Sequence, residues 1–114
     1  MADDPTPIPV PPALRALADH DPDVVTALRD LRVDLERRSG LGERDTELIR
    51  IGTLVGMGAP RESLIAHVRR ALAVGASAAD VWGAVLVVAP LVGVPRLVAA
   101  VPAIAEGLDA ETSA

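Results

Sequence analysis

The sequence has no cysteine, no phenylalanine, no tyrosine and no lysine, and a single tryptophan, Trp82. Each absence removes a class of function. Without a thiol there is no disulfide framework, no thiolate metal site and no cysteine nucleophile. With only His20 and His67 as imidazoles, a zinc site of the usual histidine-rich kind is not expected, and no cofactor is implied. Phosphate contacts need concentrated positive charge. All 11 basic residues are arginines scattered in a chain of net charge −5, so neither nucleic acid nor anionic lipid is an expected partner. The acidic, proline-rich start, Met1 to Pro12, lacks the basic-then-apolar order of a secretory signal, which makes the cytoplasm the expected location.

What is present is aliphatic. Half of the 114 residues are apolar, and with almost no aromatics a core must come from Leu, Val, Ile and Ala. Aromatic side chains bury the largest areas each, so a monomer of this length would have a thin core, and burial between subunits is expected to supplement it. The length suits one domain.

The chain divides into a proline-rich arm over 1–12, a helical domain over 13–109 and a tail over 110–114. Alternate prolines forbid a helix in the arm. A short helix is expected over Ala13–Ala18. Asp21-Pro22-Asp23 then starts a second with an aspartate cap, proline at the first helical position and an acid in the first turn. Its stripe is Val24, Leu28, Leu31 and Leu35, and Gly40 stops it. A third helix runs from about Glu43 to Met57. Pro60 opens a fourth, with Leu64, Val68, Ala71 and Leu72 on one face. Ser77 to Asp80 reads as a capping box with Asp in place of Glu, opening a very apolar fifth helix that ends near Gly93. Val94-Pro95 starts a sixth, expected to bend or break at Pro102. No strand-like alternation occurs, and the expected class is all-α, a bundle of about six helices. The apolar run Val81 to Pro95 falls short of the ~20 residues that span a bilayer. Such a helix is expected to be buried in an oligomer instead. The spaced glycines Gly52 and Gly56 are expected to mark a close helix crossing.

Four segments in order resemble the carboxymuconolactone decarboxylase and alkylhydroperoxidase D family. They are Gly40 to Ile49, Ala66-His67-Val68-Arg69-Arg70-Ala71-Leu72, Gly75 to Val81, and Ala89-Pro90-Leu91-Val92-Gly93-Val94-Pro95. The resemblance spans about Gly40 to Leu108. It implies a helical bundle assembled as a dimer, trimer or hexamer, with its active site near subunit contacts. In the peroxidase branch two cysteines precede the histidine. Pro60 and Ser63 stand there in this chain, and neither can form a disulfide or a sulfenic acid, which excludes thiol peroxidase chemistry.

In the decarboxylase branch a lactone acid loses carbon dioxide without a cofactor. By that resemblance His67 would deliver the proton, Glu47 would orient its ring, and Arg44 would hold a substrate anion bidentately. Gly83 stands where the decarboxylases commonly carry a glutamate, and Leu91-Val92 where they carry a tyrosine, which points to a small carboxylated or lactone substrate other than the family's own. The residues also have plainer readings. His67 flanks the apolar face of its helix, as core histidines do. Arg44 and Arg50 lie three residues either side of Glu47, as in a surface ion-pair ladder. Three classes remain open at this level: a cofactor-free lyase or isomerase, a non-catalytic oligomeric accessory protein, and a binding module for small apolar ligands.

Overall fold

Helix caps set most of the architecture. The computed structural model describes the backbone of residues 6–113 and the side chains of residues 6–109. In it six helices follow one another: α1 (Pro12–Ala18), α2 (Pro22–Ser39), α3 (Glu43–Met57), α4 (Arg61–Ala73), α5 (Ala78–Val92) and α6 (Val94–Ser113). The described residues contain no strand. Among them no helix is long and apolar enough to cross a membrane. The chain forms two compact units, Met1–Gly40 and Leu41–Ala114.

In the first unit, the Asp21 carboxylate accepts from the amides of Asp23 at 3.0 Å and Val24 at 3.3 Å, satisfying two of the four amides a helix start leaves unpaired. Gly40 ends α2 with φ +73°, a left-handed conformation that costs a residue with a Cβ far more. Neither α1 nor α2 contains a buried residue. Leu28, Leu31 and Leu35 of the α2 stripe are each about half exposed.

The second unit holds the core. Ile51 and Val55 of α3, Val68 of α4, Val81 of α5 and Ile104 of α6 are the largest fully buried side chains. Leu64, Ala71, Val85 and Ala103 fill between them. α3 packs on α4 and α5, and α4 packs on α6. Small residues let the helices approach. A Cβ at Gly52 would lie 3.0 Å from Val88 Cγ1, and one at Gly56 3.2 Å from Val92 Cγ1, so the glycine pair does seat α3 against α5. Gly107 does the same for α6, where a Cβ would meet Val68 Cγ1 at 2.9 Å.

The α5 start carries the expected capping box: the Asp80 amide donates to Ser77 Oγ at 3.0 Å and the Ser77 amide to Asp80 Oδ2 at 2.9 Å. Pro102, an expected bend or break, does not break α6, which runs through it to Ser113. Proline removes the bond to the carbonyl four residues back. Pro102 and Val98 are both exposed, so water can serve that carbonyl. Pro90 is accommodated within α5 in the same exposed manner.

Gly107→Ala is expected to lower stability by about 1–3 kcal/mol, because the β-branched Val68 is buried and cannot rotate away. Gly83→Ala, where an added Cβ meets nothing within 4 Å, is expected to raise it by about 0.5–1 kcal/mol through helix propensity. Urea denaturation of both variants beside the parent checks the pair, and equal effects would contradict the α4–α6 crossing.

Candidate functional site

The α3–α4 hairpin builds the site. Gly58 adopts φ +67° and the Ala59 amide donates to the Leu54 carbonyl at 3.0 Å, which turns the chain sharply before Pro60 starts α4. Glu47 and His67 stand equally far from Met57 on the two arms, so an antiparallel return brings them level. His67 Nδ1 lies 2.8 Å from Glu47 Oε2. The other oxygen, Glu47 Oε1, accepts from Arg50 Nη1 at 3.2 Å. Glu47 is the only charged residue buried among those described. Its side chain is 11% exposed, against 18% for His67 and 25% for Arg50.

The helix faces explain this placement. Glu47 shares the inward side of α3 with Ile51, one turn on, and His67 sits beside Leu64, Val68 and Ala71, all buried. A carboxylate in such surroundings must be fully hydrogen-bonded, since its desolvation is costly. No buried side-chain nitrogen or oxygen among the described residues lacks a partner. The surface-ladder reading of Glu47 is thereby corrected: its i+3 partner Arg50 does pair with it, but the carboxylate faces inward to α4 and not to water.

Arg44 goes elsewhere. Its Nε donates to Asp80 Oδ2 at 3.2 Å and its Nη2 lies 3.0 Å from Asp80 Oδ1, a two-pronged clamp between the starts of α3 and α5. Asp45 approaches the same guanidinium at 3.5 Å. The Arg44 hydrogen bonds, together with the Ser77 backbone amide, push the Asp80 carboxyl down to about 2. The structure thus joins two of the three residues singled out in sequence, Glu47 and His67, and gives the third a different partner. What sequence reasoning missed is Asp80 as that partner, 36 residues away, where no local spacing could announce it. Arg50 was legible by its i+3 position, though not its place beside a buried carboxylate.

A groove of about 520 Å³ runs along the α3–α5 crossing, walled by Leu48, Gly52, Gly56, Val87, Val88 and Leu91, with Asp80 at its edge. Neither Glu47 nor His67 lines it. His20, between α1 and α2, is exposed with φ +56°, and Trp82 packs half-buried against the core.

The chemistry this arrangement permits is proton transfer. An imidazole whose Nδ1 is held by a buried carboxylate has a fixed tautomer and leaves Nε2 as the working nitrogen. The class so defined is a cysteine-free, all-helical protein with a carboxylate–histidine pair inside a helix hairpin. The model of the carboxymuconolactone decarboxylase family matches residues 22–106, and the chain belongs to that family. No curated protein and no solved structure matches the chain significantly.

Asp80 is held below its ordinary value, so its contribution to stability is present above the unfolded value near 3.8 and is lost as pH falls through about 2. Asp80→Asn is expected to be less stable than the parent near neutral pH, with the difference shrinking between about pH 4 and 2. Thermal melts across that range check it, and a difference independent of pH would contradict the Arg44–Asp80 clamp.

Proposed function

We propose that the protein is a cofactor-free acid–base catalyst, a lyase or isomerase acting on a small carboxylated or lactone substrate. The observation that carries this reading is the 2.8 Å contact between His67 Nδ1 and the buried Glu47 carboxylate. His67 would take up the proton at Nε2 and give it back, and Glu47 would orient the ring. Abstraction of an acidic C–H by the lone pair of the neutral ring starts an isomerisation, and the imidazolium so formed returns that proton at another carbon; in a decarboxylation the ring first takes up a proton at Nε2 from substrate or solvent and then delivers it to the electron-rich carbon that loss of carbon dioxide leaves. Arg44 would serve a substrate carboxylate only by exchanging Asp80 for it.

His67→Gln is expected to keep the helical fold and to lower turnover of a carboxylated lactone by about 10²-fold or more, as for a lost general acid or base. Glu47→Gln is expected to cost less, because it removes an orienting contact. Steady-state rates by carbon dioxide release, or solvent deuterium uptake by NMR for an isomerase, check both. A second reading, a binding module for a small apolar ligand, is favoured by the α3–α5 groove. Turnover indifferent to His67→Gln would move the choice to it.

We also propose a homo-oligomer. Leu86, Val87, Leu91, Val94 and Val98 are each at least 65% exposed, along α5 and the start of α6. Contiguous aliphatic surface on this scale is characteristic of interfaces and rare on monomers. Light scattering at micromolar concentration is expected to give a multiple of 11.8 kDa, and Val87→Asp to dissociate or aggregate the protein. A stable monomer would end the proposal.

A further inference from the structure

We propose that Arg50 is a positioning residue, whose charge keeps Glu47 anionic while His67 stays neutral, so that His67 Nε2 retains its lone pair. This rests on the acid–base reading above and assigns a device within that site.

The argument is one of charge balance. The Glu47 carboxylate is largely out of water and touches two groups, His67 through Oε2 at 2.8 Å and Arg50 through Oε1 at 3.2 Å. A buried carboxylate needs a compensating charge. When His67 is neutral and donates from Nδ1, it brings a hydrogen bond without a charge. Among the described residues, Arg50 then supplies the only positive charge in contact with the carboxylate. Of the charged groups with described side chains on α5 and α6, Asp80 is engaged by Arg44, Glu106 by Arg61 and Arg96 by the Gly56 carbonyl; the fourth is Asp109. Arg69 and Arg70 lie on the exposed side of α4.

Removal of the Arg50 charge leaves the carboxylate two ways to be balanced, and both put a proton on Nε2. In one, His67 becomes an imidazolium with both nitrogens protonated. In the other, Glu47 takes up a proton and donates it toward Nδ1, which turns the neutral ring into the Nε2–H tautomer. The lone pair that an acid–base step would use is lost by either route. A guanidinium is suited to prevent this, because it remains charged at every working pH.

The test reads the ring directly, in the 114-residue chain without substrate. Nitrogen-15 NMR of the histidine rings at about pH 8, above the ordinary imidazole range, reports each ring nitrogen as protonated or bearing a lone pair. The parent is expected to show His67 with a protonated Nδ1 and an unprotonated Nε2. Arg50→Gln and Arg50→Met are each expected to lower the unprotonated Nε2 signal at least twofold. The Met variant keeps the apolar stem of Arg50, which separates charge from packing. Arg50→Lys, which retains a cation, is expected to keep the parent signal. If Gln and Met both leave that signal intact, or Lys loses it as they do, the role of Arg50 is overturned while the acid–base reading stands. A parent that already carries its proton on Nε2 would overturn both.

Discussion

A carboxylate placed between two helices, away from water, is the constraint to which the second unit answers. The desolvation of Glu47 is costly unless both oxygens find donors, and α3 and α4 are arranged so that each does. His67 reaches Oε2 from the facing helix and Arg50 reaches Oε1 from one turn along the same helix. The hairpin register therefore has a polar lock as well as an apolar one. A slip of one residue in α4 would turn His67 away by about 100° of helix rotation, leaving a buried charge half-satisfied and moving Val68 and Leu64 off the core.

Around that lock the packing is close and made of small parts. With Trp82 the only aromatic residue, volume is filled by Ile, Leu, Val and Ala, and density is reached by drawing helix axes together at Gly52, Gly56 and Gly107. Close crossings give many weak dispersion contacts in place of a few large buried rings. The same economy leaves much aliphatic surface unsheltered within a single chain: the α2 stripe, and the face of α5 that continues into α6. The polar joints reinforce the crossings at their ends. Arg44 and Asp80 tie the starts of α3 and α5, Arg61 and Glu106 tie α4 to α6, and Arg96 donates to the Gly56 carbonyl at the end of α3, where the helix dipole favours a cation.

Family membership and site chemistry stand at different levels. The family match covers residues 22–106 and is independent of what His67 does. The absence of cysteine closes the thiol route, and the carboxylate–imidazole pair opens a proton-transfer one. These two facts, one of composition and one of geometry, direct the choice of chemistry to be tested.

How much of this was legible in the sequence follows from the range of each interaction. The caps at Asp21, Gly40, Ser77 and Asp80 act within three or four residues, so spacing alone located the helices, and the paired glycines announced a close crossing. Whether Pro102 breaks α6 was not legible, because the cost of a proline depends on whether the orphaned carbonyl meets water, which is a matter of exposure and not of sequence. Glu47 and His67 could be named from the sequence by resemblance. That Glu47 is buried, that Arg50 balances it, and that Arg44 belongs to Asp80 were decided only when helices distant in sequence were laid side by side. Local hydrogen bonding is written in the order of residues; desolvation and charge pairing depend on neighbours that only the tertiary structure supplies.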